Sequence, residues 1–198
     1  MVTARPEVRP PADSTAPPVR TRRFSVDEYH RLIDAGILGE DEHVELLEGA
    51  LYEMSPQGEP HARVVERLTR LLIRALGEEY RVRPQLPLTF GDSEPEPDLA
   101  VVREGDGPRD DHPRTALLVV EVSRSSLAHD RTVKARVYAR AGVPELWIVD
   151  IETRRVEVRR DPDPASGHYR RVWSAGVGDS LACASLPGLT VGVQRLFD

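Results

Sequence analysis

Hydrophobic residues recur at helical spacing in three segments of the chain. The clearest segment predicts a helix over 60–78, which opens at Pro60 and ends near Gly77. Its apolar positions are Val64, Val65, Leu68, Leu71, Leu72, Ala75 and Leu76. Ser25 is a typical N-cap for an earlier helix that ends at Gly36. Asp130 is predicted to begin a third helix, which ends near Ala141.

Apolar and β-branched runs between these helices predict strands. Residues 117–123 form an unbroken apolar run around one acid, as expected for a central strand covered on both faces. Further strands are predicted at 80–90, 97–102 and 145–150, and a hairpin is predicted around Asp161-Pro162 from 154–160 and 168–173. Around the turn at Glu48-Gly49, residues 43–47 are predicted as a short helix or strand and 50–54 as a strand. Short strand-like runs follow at 179–197. The order of elements predicts an α/β fold with a mixed central sheet flanked by helices.

The length of 198 residues suits one such domain, expected to span 22–198. Residues 1–21 are rich in proline and poor in large apolar residues, so they are predicted to form a disordered tail. No apolar stretch is long enough for a membrane span or a signal peptide, and a cytoplasmic protein is expected. Cys183 is the only cysteine, which excludes an internal disulfide and a cysteine-based zinc site.

The net charge of −6 argues against tight, non-specific DNA binding, because such proteins neutralise phosphates with basic residues. It leaves room for an enzyme that reaches nucleic acid through a metal ion and a few local arginines. Six arginines between positions 154 and 171 are interpreted as the solvated face of the predicted hairpin.

Two acids stand inside otherwise apolar strands. Asp98 lies in Pro-Asp-Leu-Ala-Val-Val and Glu121 in Leu-Leu-Val-Val-Glu-Val-Ser. Burying a lone carboxylate is costly unless it is paired or binds a metal, so the two acids are expected to work together on a hard cation such as Mg²⁺. The alternatives are that Asp98 caps a turn or pairs with an arginine, and that Glu121 faces solvent on an edge strand.

Side chains alternate along a strand, so Ser123 faces the same way as Glu121. A serine supplies no positive charge there, and the nearest candidate cation is Lys134 on the following helix. Lys134 and Tyr138 are four residues apart and share a helix face. Lys134 is expected to lean towards Glu121, the alternative being an ordinary surface lysine.

These segments resemble the Uma family, a group of restriction-endonuclease-like proteins in the PD-(D/E)XK nuclease superfamily. The resemblance runs from about Arg23 to Phe197 and is specific in the combination of its motifs. The matching segments are Glu-Pro-Asp-Leu-Ala-Val-Val at 96–102, Val-Val-Glu-Val-Ser at 119–123, Asp-Arg-Thr-Val-Lys-Ala-Arg-Val-Tyr at 130–138 and Gly-Val-Pro-Glu-Leu-Trp-Ile-Val-Asp at 142–150.

The resemblance implies Mg²⁺-dependent hydrolysis of phosphodiester bonds, with Mn²⁺ as a substitute. It makes Asp98 and Glu121 the two acids, and it implies that the lysine missing at Ser123 has moved to Lys134. It also matches Glu45 to an early acid, here predicted to be a further metal ligand. Gln85, His61, Tyr138 and Ser123 are the accessory positions, although a histidine at a helix start is more often a cap or a surface residue.

Three functions follow as hypotheses. The first is a metal-dependent endonuclease acting on nucleic acid, with DNA as the expected substrate and a homodimer as the expected assembly. The second is a nuclease fold without activity that binds nucleic acid or a protein partner, favoured by Ser123 and the net charge. The third is a metal-dependent hydrolase of small phosphate esters.

Overall fold

A computed structural model of the protein describes residues 21–39, 42–54, 56–106 and 111–198. The predicted tail over 1–21 lies, apart from Thr21, outside these residues. No helix in the described part of the chain is long and apolar enough to cross a membrane.

The helices form where the apolar periodicity predicts them. Helix α1 (Val26–Asp34) begins at a capping box, in which the Ser25 hydroxyl accepts from the Glu28 N–H and the Glu28 carboxylate accepts from the Ser25 N–H. Helix α2 (Glu59–Ala75) buries one apolar stripe, which begins unusually with His61. It ends three residues before the predicted bound, because Leu76 is already extended. A third helical segment runs from Leu127 to Arg140.

Six strands make one mixed sheet in the order β3-β4-β5-β6-β7-β8. Only β5 and β6 run parallel, and the third helical segment connects them. The strands are β3 (Tyr80–Pro84), β4 (Leu99–Arg103), β5 (Leu118–Ser123), β6 (Glu145–Asp150), β7 (Arg155–Asp163) and β8 (His168–Gly176). Two small antiparallel pairs lie outside it, β1 (Val44–Leu47) with β2 (Ala50–Glu53) and β9 (Ser180–Ala182) with β10 (Thr190–Gly192).

The sheet is covered on both faces, so β4, β5 and β6 are almost wholly buried. On one face the apolar stripe of α2 packs with Leu186, Leu189 and the segment that carries β10. On the other face Tyr138 and its helical neighbours pack with Leu88 and Phe90. The predicted fold class, a mixed sheet between helical layers, is confirmed.

Other predicted elements also had the wrong bounds. The strand predicted over 80–90 ends at Pro84, because Gln85 adopts a left-handed φ of 47° and Pro87 has no N–H to donate. The helix predicted to start at Asp130 begins at Leu127, so Asp130 lies inside the helical segment, where its side chain points inward and is buried.

The hairpin turn was also predicted in the wrong place. Asp161 and Pro162 stay within β7, and the chain reverses at 164–167, where Gly167 has a φ of 70°. Pro162 lies beyond Arg160, the last residue that pairs with β6, so its missing N–H breaks no bond on that side.

Candidate active site

The antiparallel pairing of β4 and β5 brings the two predicted acids together. Leu99, the first residue of β4, pairs with Val120 in the middle of β5. Asp98, which directly precedes β4, and Glu121, which follows Val120, therefore lie beside each other. Both side chains are buried and line one cavity of about 510 Å³.

Asp98 is held by contacts on both of its oxygens. Its Oδ2 accepts a 2.7 Å hydrogen bond from the backbone N–H of Val122. Its Oδ1 lies 3.0 Å from Nε2 of His61 and 3.4 Å from Nε2 of Gln57. The hydrogen bond to Val122 fixes the Asp98 carboxylate against the strand that carries Glu121.

Glu121 meets two residues of the helix that follows its strand. The Tyr138 hydroxyl donates to Oε1 at 2.5 Å, and Nζ of Lys134 lies 3.2 Å from Oε1 and 3.3 Å from Oε2. The same ammonium lies 2.8 Å from Oε1 of Glu45, on β1, which also accepts from the Glu96 N–H. Lys134 thus bridges two carboxylates that come from different parts of the chain.

A π-helical turn over Asp130–Lys134 interrupts this helix just where the site is. The Ala135 N–H bonds back to the Asp130 carbonyl, five residues earlier. Such a turn changes which side chains share a face, and π turns are frequent at functional sites. Here Asp130, Lys134 and Tyr138 are all buried beside the end of β5.

The electrostatics of the cluster show a deficit of positive charge. Burial raises the pKa of the Glu121 carboxyl well above its usual value of 4.5, and this outweighs the opposing effect of Lys134. Burial alone would lower the pKa of Lys134, but the carboxylates of Glu121 and Glu45 outweigh it and raise that pKa. Because one ammonium serves two buried acids, it stays charged while they remain incompletely neutralised.

The described part of the cavity wall carries six carboxylates but only two permanently charged cations. The acids are Glu45, Glu53, Glu96, Asp98, Glu121 and Asp130, and the cations are Lys134 and Arg124. Burial also raises the pKa of Glu96, with the charge of Glu45 adding to the effect. The cavity is therefore strongly acidic.

The other predicted accessory residues lie around this cavity at different distances. Tyr138 lies behind Glu121 and contacts it directly. The Ser123 hydroxyl is fully buried and donates to Oδ2 of Asp130 at 2.7 Å, so it fixes the helical segment to the strand. Gln85 contributes only its backbone, whose N–H donates to the Asp98 carbonyl, while its exposed side chain is not part of the wall.

Within the described residues, no three His, Cys, Asp or Glu side chains converge on a common point at metal-binding distances. Glu45 and Glu121 both contact the ammonium of Lys134, which lies between them. Asp98 and Glu121 remain as a pair of carboxylates on one wall.

Sequence reasoning missed Asp130 as part of this cluster. Its buried carboxylate accepts from the hydroxyls of Ser123 and Ser126, each at 2.7 Å. The signal was available, because Asp130 lies four residues before Lys134 on the same helical segment. Gln57 and Arg124 were also missed, since they lie in loops without a repeating pattern.

Comparison with known proteins gives the family. The model of the Uma2 family, described as "Putative restriction endonuclease", matches residues 26–194. The chain belongs to the Uma2 family. This match confirms the resemblance found from the motifs and supports a nuclease function in general terms.

A solved structure has the same fold as this Uma2 protein. It is described as a "putative nuclease belonging to DUF820" from Anabaena variabilis, and it aligns with a TM-score of 0.71 at 18% identity. The alignment covers 88% of this chain and 97% of that one. No curated protein matches the chain.

Proposed function

We propose that this Uma2 protein is a metal-dependent endonuclease of the PD-(D/E)XK type, which hydrolyses phosphodiester bonds in nucleic acid, with DNA as the expected substrate. The observation that carries the proposal is the acidic cavity, where six carboxylates face two fixed cations. A phosphodiester is negatively charged, so it is repelled from such a cavity unless a divalent cation neutralises the acids.

Asp98 and Glu121 are the residues proposed to hold that cation, Mg²⁺ or Mn²⁺. The donor set fits Mg²⁺, which is usually bound through one or two carboxylates and keeps several waters. A cluster of three protein ligands is therefore not required. Once bound there, the ion supplies charge neutralisation for the phosphate and activation of a water molecule.

The neighbouring residues position these acids and supply charge. Tyr138 holds one oxygen of Glu121 and so fixes the direction of the other. Lys134, buried and held charged, presents a cation to the wall where negative charge develops during phosphoryl transfer. Glu45 anchors Lys134 through its Oε1. A role for Glu45 as a further metal ligand stays a prediction.

The experiment is a cleavage assay with supercoiled plasmid, single-stranded DNA, RNA and a small aryl phosphate diester, each with Mg²⁺, Mn²⁺ or EDTA. Metal-dependent cleavage of a nucleic acid, lost in EDTA and in Asp98→Asn, is the expected result. Asp92→Asn is the matched control, because Asp92 does not line the cavity. Turnover of the small ester alone would overturn the nuclease proposal.

A nuclease fold that binds without cutting is the second candidate. Lys134 favours it, because its ammonium already lies between Glu45 and Glu121 where a cation would otherwise neutralise them. Titration calorimetry separates the two candidates. An enzyme binds Mg²⁺ or Mn²⁺ and loses that binding in Asp98→Ala, whereas a module without metal shows no binding in either protein.

The expected homodimer also enters as a proposal. Each copy of the chain has one acidic cavity of this kind in its described part. Cutting both strands of a duplex takes two such sites, so two copies are expected to act together. Analytical ultracentrifugation with and without duplex DNA tests this, and a monomer under both conditions contradicts it.

A further inference from the structure

His61 occupies a position where a hydrophobic residue would be expected. It lies in the first turn of α2, at the start of the buried stripe that continues through Val64, Val65 and Leu68. Its side chain is only 9% exposed. A polar ring in such a place normally has a hydrogen-bond partner for each buried nitrogen.

The buried Nε2 of His61 has no such partner. It lies 3.0 Å from Oδ1 of Asp98, which is an ion-pair distance, but the two atoms do not form a hydrogen bond. In the tautomer that carries its proton on Nδ1, Nε2 has a lone pair that can bind a third atom together with Oδ1. His61 and Asp98 both line the acidic cavity, where that third atom would be reached.

The separation of the two atoms suits ligands of one ion. In an octahedral site with ligands at roughly 2.0–2.1 Å from the ion, two adjacent ligands stand about 3 Å apart.

We infer that His61 and Asp98 form a ligand pair for the metal, in which Nε2 of His61 favours a first-row transition ion such as Mn²⁺ over Mg²⁺. The inference rests on the proposed function and deepens it by naming the class of ion. Imidazole nitrogen is a good ligand for first-row transition ions, whereas Mg²⁺ prefers oxygen ligands and its own waters.

His129 offers a matched control. It is the other histidine in the described part of the cavity wall, and its ring packs against Tyr52 with centroids 5.1 Å apart. It has no close contact with Asp98 or Glu121. Replacing it removes an imidazole from the same cavity without touching the proposed ligand set.

The first measurement is binding of Mn²⁺ alone and Mg²⁺ alone to the wild type, His61→Asn and His129→Asn. His61→Asn is expected to weaken Mn²⁺ binding by about tenfold or more, since even loss of an outer contact to a ligand costs about 10–100-fold in affinity. Its effect on Mg²⁺ is expected to be less than about threefold. His129→Asn should change neither affinity. Equal weakening of both ions in His61→Asn, or no weakening of Mn²⁺, overturns the inference.

The second measurement does not need the His61 variant to fold. Pulsed electron paramagnetic resonance of Mn²⁺ bound to the protein detects nitrogen coordination directly. The double variant His43→Asn, His129→Asn removes the other imidazoles nearest the cavity, and the nitrogen signal is expected to persist in it. A wild-type protein that binds both ions without a nitrogen signal contradicts only this inference. A wild-type protein that binds neither ion contradicts the proposed function as well.

Discussion

Two buried glutamates on neighbouring strands of the sheet have different surroundings. Glu121 lies in the second half of β5 and Glu145 at the start of β6. Because these strands are parallel, the two acids lie towards opposite ends of the strand pair. Both are almost inaccessible to solvent, at 2% and 0% exposure. In the sequence, Glu121 lies within an apolar strand and Glu145 begins one.

Glu145 is fully satisfied by its neighbours. Arg160 lies opposite Glu145 on the neighbouring strand β7 and donates to both of its oxygens, at 2.8 and 2.9 Å. The Trp147 indole and the Ala184 N–H donate as well, at 2.6 and 2.9 Å. No part of this group lines the acidic cavity. The cluster is therefore a structural ion pair, which ties the sheet to the C-terminal segment.

Glu121 has one hydroxyl donor and must share its cation with Glu45. It also faces a cavity whose other acids add to the negative charge. The comparison shows that burial of an acid does not by itself mark a functional site. An excess of carboxylates over cations, next to a space that can admit a ligand, distinguishes the two.

The largest effect on cleavage is expected from removing the cation beside Glu121, whereas removing the cation beside Glu145 should leave the rate unchanged. Lys134→Met should reduce nucleic-acid cleavage by a factor on the order of 10²–10³, the value of losing one group that stabilises developing charge. Arg160→Met should keep the wild-type rate per folded molecule, because neither Arg160 nor its partner Glu145 lines the cavity. Initial rates corrected for the folded fraction test this. A wild-type rate in Lys134→Met would show that its charge is not used.

Glu145→Gln should give a large loss of stability. It leaves the half-buried Arg160 without its carboxylate, and breaking a buried pair costs about 3–5 kcal/mol. The free energy of unfolding in urea measures this loss, and Mg²⁺ affinity should stay unchanged. A loss below about 1 kcal/mol would mean that the ion pair between Glu145 and Arg160 contributes little to the stability of the fold.

In EDTA, which removes metal, Glu121→Gln should raise the free energy of unfolding, whereas Glu145→Gln lowers it. Because burial raises the pKa of Glu121, the folded wild type loses stability relative to the variant as the pH rises above 4.5. The two proteins should be alike near pH 4, and the variant should be the more stable of the two at pH 8.

Adding Mg²⁺ at pH 8 should reverse that order, because an ion that binds only the folded wild type stabilises it alone. The charged groups that act on position 121 are the same in both proteins and therefore do not cause the difference; they are Lys134, Asp130, Asp98 and Glu45. Urea titrations at the two pH values provide the measurement. A wild type that gains stability over the variant as pH rises would show that Lys134 neutralises Glu121 fully.

Tyr138→Phe should have the smallest effect. It removes one hydroxyl that donates to Glu121 and leaves the ring packed against Phe90, with centroids 6.3 Å apart. The expected loss is about 1 kcal/mol, typical of a single hydrogen bond. Thermal unfolding in EDTA measures it. A stability equal to that of the wild type would show that water replaces the hydroxyl.

Much of the fold was readable from local patterns. The stripe from Val64 to Leu72 predicted α2, and the apolar run before Ser123 predicted a central strand. The errors came where backbone geometry overrode pattern, as at Gln85, whose left-handed φ ends β3. The π turn over Asp130–Lys134 could not be predicted either, because it depends on how the helix packs against the sheet.

The residues Asp98, Glu121 and Lys134 could be chosen from the sequence because their types and spacing suggest metal chemistry. The same reasoning gave no account of Glu145, a second acid that is equally buried at the start of an apolar strand. It also could not show that His61 faces Asp98, because α2 and β4 are brought together only by packing.

The sequence by itself determined which segments are helices and strands, since side-chain periodicity acts over a few residues. It also determined the family, through motifs that remain recognisable along the chain. Only the tertiary structure decided which buried acid has a cation of its own and which must share one. Charge balance depends on distances between residues far apart in sequence, here Arg160 with Glu145 and Lys134 between Glu45 and Glu121.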